Sequence, residues 1–295
     1  MKYAYYPGCS LNATGIEYNI SSKAVASYFG VELKEIDDWN CCGASAAHNT
    51  NHWLSLALPA RNLAIAEKEG LDIAVPCAAC YSRLKGAQVA VKESAAAKET
   101  IKDIIEMDYQ GSGEVLSMVD VVHQGIGLER LKEGVKLPLE GLKVASYYGC
   151  LLVRPKKLAM DDQENPMKMD EIMASIGAEP VDWAYKVECC GAGHSTQKTP
   201  VGFKMINDIL RNAKLSGANC IVSACPLCML NLDMRQKDLK QDNGENYNLP
   251  VFYFTELVGM AVGYTPEEMG VPKHFTNAIT LLLEKNLHPA GRRGA

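Results

Sequence analysis

The tetrapeptide Cys-Cys-Gly-Ala occurs twice in this chain, at residues 41–44 and 189–192. Each copy sits inside the same longer pattern. Cys9 precedes the first copy at the end of Tyr5-Tyr6-Pro7-Gly8-Cys9, and Cys150 precedes the second at the end of Tyr147-Tyr148-Gly149-Cys150. A C-x-x-C pair follows each copy, Cys77 and Cys80 in one case, Cys225 and Cys228 in the other. The stretches read C-x31-CC-x34-C-x2-C and C-x38-CC-x34-C-x2-C, so ten of the eleven cysteines form two matching sets of five. Such a repeat means that one structural plan is used twice, which confines the fold to two related halves.

At 295 residues each half has about 150, enough to bury its own core. The boundary is expected near Gly141, giving a first half of residues 1–140, with a helical connector over about 91–140, and a second half of 141–295. The composition, 47% apolar and 22% charged, is that of an ordinary globular protein. A net charge of −5 gives no electrostatic reason to expect a nucleic acid. Met1-Lys2-Tyr3-Ala4-Tyr5 leads directly to Cys9 without the apolar stretch of a signal peptide. The longest apolar run, Val251 to Tyr264, is too short for a membrane span and carries Glu256. The expected location is cytoplasmic, where cysteines in this number serve metal or redox chemistry before structural disulfides.

The segments around the cysteines alternate in period. Lys2–Tyr6 reads as a strand stopped by Pro7-Gly8, Ile16–Phe29 as a helix ended by Gly30, and Val31–Ile36 as a second strand. Leu56, Ala60, Leu63 and Ala64 mark a helix closed by Gly70; Asp72–Val75 is a strand running into Cys77. The second half repeats the order. Val144–Tyr148 is a strand, Met169, Ile172, Met173 and Ile176 are a helix stripe, and Phe203, Ile206, Leu210 and Ala213 are another. Cys220–Ser223 is a strand, and the Phe252-Tyr253-Phe254 stretch completes the second core. Strands alternating with helices imply an α/β fold of two tandem halves with mainly parallel sheets, and such sheets place sites at the carboxyl ends of their strands. All the cysteine elements fall at these strand-to-helix junctions. Cys77 and Cys225 fall near helix starts, where the dipole favours a thiolate.

Three chemistries could use five thiols. Disulfides fit poorly with an odd cysteine count and no secretory signal. Zinc would explain C-x-x-C, but a structural zinc takes four ligands and leaves one thiol per set over. An iron–sulfur cluster is softer and several atoms wide, so adjacent cysteines at a tight turn can reach different irons. Five ligands exceed the four of a cubane, which points to an unusual cluster or a bridging thiolate.

Two complete C-x(31–38)-CC-x34-C-x2-C sets with Gly after the double cysteine resemble the CCG-domain family, and within it the B subunits of the methanogens' cytosolic heterodisulfide reductases. The resemblance runs from Cys9 to about Gly263. It implies two non-cubane [4Fe-4S] clusters, one on Cys9, Cys41, Cys42, Cys77 and Cys80, the other on Cys150, Cys189, Cys190, Cys225 and Cys228. It implies reduction of the coenzyme M–coenzyme B disulfide in a cleft between them, a step of methanogenesis, with both halves acting on one substrate. It also implies partners: a ferredoxin-like C subunit and a flavin-containing A subunit, coupled to a hydrogenase or formate dehydrogenase. The CCG signature marks a wider family as well, including electron-transfer subunits of 2-hydroxyacid (lactate or glycolate) and succinate oxidoreductases. The chain lacks a ferredoxin-type cysteine run and a Gly-rich dinucleotide fingerprint, so it depends on partner subunits for electrons.

Other residues invite a role. Cys220 has Asp72 as its counterpart and is expected to be an inert buried thiol. His194 and, less strongly, His48 are placed to protonate a departing thiolate. A substrate with sulfonate, carboxylate and phosphate groups calls for cations, for which Arg154, Lys156, Lys157, Lys198 and Lys204 are candidates. Gly43 and Gly191 are expected to allow positive φ or a close backbone approach to the cluster.

Overall fold

The computed structural model describes residues 1–44 and 46–288; the end of the second half, 289–295, lies outside them. Two four-stranded sheets are present, and every strand pairing in both is parallel. In the first half, β1 (Lys2–Tyr5), β2 (Glu32–Glu35), β3 (Ile73–Val75) and β4 (Val115–Ser117) lie in the order β2-β1-β3-β4. In the second, β5 (Lys143–Tyr147), β6 (Glu179–Pro180), β7 (Cys220–Ser223) and β8 (Val251–Tyr253) lie in the order β6-β5-β7-β8. The same order at matching places is the structural form of the sequence repeat. The expectation of two tandem α/β halves with parallel sheets therefore holds.

Parallel strands need crossovers, and helices supply them. The first half uses α1 (Ile16–Tyr28), α2 (His52–Lys68), α3 (Ala78–Glu93) and α4 (Ala95–Ile105); the second uses α5 (Lys168–Ser175), α6 (Thr199–Leu215), α7 (Pro226–Asn243) and α8 (Phe254–Ala261). β3 and β7 are buried along their whole length, as central strands covered on both faces must be. β4 and β6 carry little sequence signal. β4 is three residues that run straight into the helical turn Met118–Asp120, and β6 is two residues ending in a proline.

The two halves share one continuous core. α1 of the first half packs against α8 of the second. There Tyr18 stacks on Tyr253 with ring centroids 4.3 Å apart and planes 6° from parallel. Beside the stack, Ser21 and Thr255 hydroxyls bond at 2.7 Å in a fully buried position. A stacked aromatic pair contributes about 0.5–1.5 kcal/mol beyond its buried area, so this seam fixes one half against the other.

Candidate metal centre

Because all strands of a sheet run the same way, their carboxyl ends meet at one edge. Cys9 follows β1, Cys41 and Cys42 follow β2, and Cys77 follows β3; Cys150, Cys189–Cys190 and Cys225 stand in the same relation to β5, β6 and β7. Cys77 and Cys225 are the N-cap residues of α3 and α7. The loops carrying the double cysteines are pinned by buried amides. Asn62 on α2 accepts from the Asn40 backbone N–H at 2.9 Å and donates to its carbonyl at 3.0 Å, and Asn231 on α7 donates to the Cys190 carbonyl.

Within each set the thiols touch in the same sequence. Cys42 and Cys80 share a hydrogen bond, Sγ to Sγ 3.2 Å, and Cys190 and Cys228 bond in the same way. Cys80 bonds on to Cys77, as Cys228 does to Cys225. The outer pairs are Cys9 with Cys41 and Cys150 with Cys189. The sets also meet, since Cys77 hydrogen-bonds Cys225. Six thiols thus lie in a row, 42–80–77–225–228–190, each influencing the ionisation of the next, from one half into the other. Nothing in the linear spacing announces the contact between Cys77 and Cys225.

The row shares protons unevenly. Cys225, accepting from Cys228 and Cys77, is held well below the usual thiol range, while Cys77 keeps its proton and is pushed up. The helix dipole alone would treat these two N-cap residues alike; their interaction with each other pushes them in opposite directions. Cys42 is lowered to about 7, chiefly by the bond from Cys80. Cys189 is lowered to about 6, first by the bond from Cys150, then by the Gly191 N–H and the charge of His194.

Gly43 and Gly191 both have φ +72, and each N–H reaches the Sγ of the first cysteine of its pair at 3.4 Å. A Cβ on Gly43 would meet Ala47 Cβ at 2.7 Å and Leu58 Cδ1 at 2.8 Å, so this glycine serves the turn and the helix behind it. The glycines that approach the thiols are Gly8 and Gly149, at φ +68 and +65, where a Cβ would lie 3.1 Å from Cys80 Sγ and 3.4 Å from Cys228 Sγ. Their signal in the sequence is the shared Gly-Cys. Tyr6 and Tyr147 were equally legible as paired positions. Each is fully buried, packs beside its thiol set, and donates to the carbonyl just before its double cysteine, Asn40 at 2.9 Å and Glu188 at 2.6 Å.

A cavity of about 600 Å³ lies between the halves. All five thiols of the second set, Cys150, Cys189, Cys190, Cys225 and Cys228, are in its wall, and those of the first set are not. The first half contributes Ala44, His48, Asn49, Ala78 and Ala79. The histidine facing this space is His48, whose Nδ1 lies 3.2 Å from Arg83 Nη2. His194 is exposed in the turn after Gly191, outside the cavity lining. The expected cations are elsewhere. Arg154 pairs with Glu164, Lys157 with Glu93 and Lys204 with Asp208, and neither Lys156 nor Lys198 lines the cavity. Cys220 is fully buried, with its thiol pushed up by burial alone and no bond to the row.

Behind the cavity is a buried network with no sequence forewarning. Lys186 Nζ pairs with Asp170 at 3.1 Å, both side chains at most 4% exposed. Tyr148, in the cavity wall, donates to the same carboxylate at 2.6 Å. The backbone N–H groups of Tyr148 and Gly149 donate to the Lys186 carbonyl at 2.9 and 3.0 Å. The loop of Cys150 is thereby bolted to the segment leading into Cys189.

The donor set tests what the site could hold. Among the described residues no three His, Cys, Asp or Glu side chains gather as the ligands of a single ion would. Thiols alone, spread in a row, suit a group several atoms wide with soft metal atoms, and an iron–sulfur cluster is such a group.

Residues 3–85 and 144–233 each match the cysteine-rich (CCG) domain, the two stretches that carry the two thiol sets. The chain belongs to the CCG cysteine-rich domain family. It is 35% identical to the 8-methylmenaquinol:fumarate reductase membrane anchor subunit of Wolinella succinogenes, over 95% of this chain and 99% of that one. It is 31% identical to the B subunit of the ferredoxin/F(420)H(2)-dependent CoB-CoM heterodisulfide reductase of Methanosarcina acetivorans, over 99% of both chains. A protein of Archaeoglobus profundus, named as like the B subunit of heterodisulfide reductase, is 28% identical over 91% of this chain and 93% of its own. The relatives are thus subunits of more than one reductase. The crystal structure of a hypothetical protein from Helicobacter pylori shares the fold, with a TM-score of 0.70 at 12% identity over 94% of this chain; the chain spans about half (52%) of that protein. Despite the word anchor in one relative's name, no helix among the described residues is long and apolar enough to cross a membrane.

Proposed function

We propose that this CCG protein is the disulfide-reducing iron–sulfur subunit of a heterodisulfide reductase-type complex, with the second thiol set facing the substrate and the first set feeding it electrons. One observation carries this reading: a cavity of about 600 Å³, large enough for a small organic ligand, opens onto all five thiols of the second set. A cluster held by these thiols would occupy part of this space, and the reading requires that the rest admit a small ligand.

Cys9, Cys41, Cys42, Cys77 and Cys80 would hold one four-iron cluster and Cys150, Cys189, Cys190, Cys225 and Cys228 the other. When bound, such clusters supply one-electron transfer at potentials set by their ligands. The contact between Cys77 and Cys225 is the short route between the two ligand sets. Cleaving a disulfide consumes two electrons and two protons and yields two thiols. His48 presents itself to the departing sulfur. With Nδ1 accepting from Arg83, the proton of the neutral ring lies on Nε2, which makes it a hydrogen-bond donor to a forming thiolate. Tyr148, tied to Asp170, holds the wall beside Cys150 in place. Electrons come from a ferredoxin-like partner subunit.

The test is anaerobic purification followed by turnover with reduced viologen and organic disulfides, with and without a ferredoxin-like partner. About eight irons with matching sulfide are expected for two four-iron clusters. Replacing Cys189 and Cys190 with serine should abolish disulfide turnover. Replacing Cys41 and Cys42 should spare the viologen-driven reaction and abolish the partner-driven one. Loss of both activities in both variants would instead place the substrate between the two sets. Stoichiometric zinc without sulfide would sink the cluster assignment.

A second reading is an electron-transfer subunit of a quinol-coupled fumarate or succinate oxidoreductase. It is favoured by the 35% identity to the Wolinella protein. Ready reduction of a quinone analogue, with disulfides left untouched, would decide for it.

A further inference from the structure

The repeat serves as its own control, because much of what surrounds one thiol set also surrounds the other. Cys77 and Cys225 are both N-caps of long helices. Gly43 and Gly191 share φ +72, and each turns its N–H on the first cysteine of its pair at 3.4 Å. Tyr6 and Tyr147 donate to the carbonyl before each double cysteine. One matched position breaks the pattern. Three residues after the C-x-x-C pair, at the same place on α3 and α7, the first half has Arg83 and the second Asn231. Both side chains reach the loop of the double cysteine: Arg83 donates to the Ala44 carbonyl at 3.1 Å, and Asn231 donates to the Cys190 carbonyl. The hydrogen bond is kept in both halves and the charge in only one. A second mismatch acts in the same direction, since the residue before the double cysteine is Asn40 in the first half and Glu188 in the second.

We infer, resting on the cluster assignment made above, that Arg83 sets the two centres apart in potential: the cluster on the first set is the more easily reduced, and a single electron settles there. The physical reason is charge. A reduced cluster carries one more negative charge than the oxidised one, so a fixed cation beside it favours the reduced form. A guanidinium stays charged at any working pH, and Arg83 is half-buried, where salt and water screen it less than at the surface. Its partners are neutral, the Ala44 carbonyl and His48 Nδ1 at 3.2 Å, and among the described residues no carboxylate pairs with it. The cations of the second half act otherwise. Lys186 is cancelled by Asp170 and Arg154 is paired with Glu164, while Lys198 is exposed. An electron that waits on the first set does not meet a substrate alone, which suits a cleavage that consumes two.

Redox titration of the anaerobically purified, iron-loaded protein, followed by electron paramagnetic resonance, reads both potentials without any substrate. Two one-electron steps are expected, and Cys41→Ser with Cys42→Ser, which removes the first cluster, should delete the higher one. Arg83→Gln keeps an amide donor and removes the charge, as Asn231 does in the second half. It should lower the higher step by about tenfold in the reduction equilibrium, about 59 mV for one electron, and leave the lower step in place. Arg83→Lys should keep most of the parent potential. Lys85→Gln is the control: this cation on the same helix pairs with Glu114 at 3.1 Å, and its loss should move neither step. The inference is overturned if Arg83→Gln leaves the higher step where it was, if the Gln and Lys variants lower it equally, or if the step that survives the double serine variant is the higher one. Loss of first-set iron from Arg83→Gln would also overturn it, making the residue a clamp on the loop. Parent protein that holds no iron and sulfide would sink the cluster assignment itself, and the inference with it.

Discussion

Lys186→Met tests how the second thiol set is held. Lys186 and Asp170 are a buried pair at 3.1 Å, at most 4% exposed, and methionine fills a similar volume without the charge. Asp170 then keeps the Tyr148 hydroxyl at 2.6 Å but loses its counter-charge. Breaking a buried pair by removing one partner costs about 3–5 kcal/mol. With an unfolding entropy of about 2.1 cal/mol/K per residue, the 295-residue chain would lose roughly 5–8 °C of Tm. Calorimetry on anaerobically purified protein reads this directly, with Lys204→Met as the control. Lys204 pairs with Asp208 on the surface of α6, and its loss should leave Tm unchanged.

The pH dependence carries the sign of the reasoning. Burial raises the Asp170 carboxyl above its ordinary value, opposed by Tyr148 and Lys186. An acid raised in the folded state binds more protons folded than unfolded, so stability falls as pH rises through the shifted value. Without Lys186 the carboxyl rises further. The deficit of the variant should therefore be full at neutral pH and shrink on acidification, as Asp170 takes up a proton. Adding Asp170→Asn to Lys186→Met should recover part of the loss, because no charge is then buried. A Tm within about 1 °C of the parent at neutral pH, or a deficit that grows on acidification, would refute the claim that this pair is charged and structural.

Three further outcomes follow from the thiol geometry. In metal-free protein Cys189, lowered to about 6, should alkylate faster than Cys150, whose thiol is pushed up by donating to it; peptide mapping at neutral pH that finds Cys150 modified first would reverse the assignment. Gly8→Ala adds a Cβ 3.1 Å from Cys80 Sγ at φ +68. It should lower stability by roughly 1–2 kcal/mol and reduce iron content more than Gly149→Ala, where the contact is 3.4 Å. Cys220→Ser should leave iron and sulfide unchanged, since that thiol is fully buried away from the row; loss of one cluster's iron would make Cys220 a ligand.

Sequence alone determined the parts of this protein that are periodic or repeated. Helices such as Ile16–Tyr28 and buried strands such as Cys220–Ser223 follow from the placing of apolar residues, because burial acts on whichever face those residues share. The doubled cysteine pattern gave two parallel α/β halves with thiols at the strand ends, since a repeated spacing can only be a repeated unit. β6 was illegible because two residues ending in Pro180 have no period; the strand exists through its pairing with β5. The tertiary structure decided everything that depends on how one half sits against the other. The Tyr18–Tyr253 seam sets that placement, and from it come the contact of Cys77 with Cys225 and a cavity walled by the second thiol set and by first-half alanines. Two histidines follow their double cysteines at similar distances, yet only His48 faces the cavity. A repeat makes the two halves equivalent on paper. Packing them together, with different side chains at the seam, is what puts one thiol set in the wall of the cavity and leaves the other outside it.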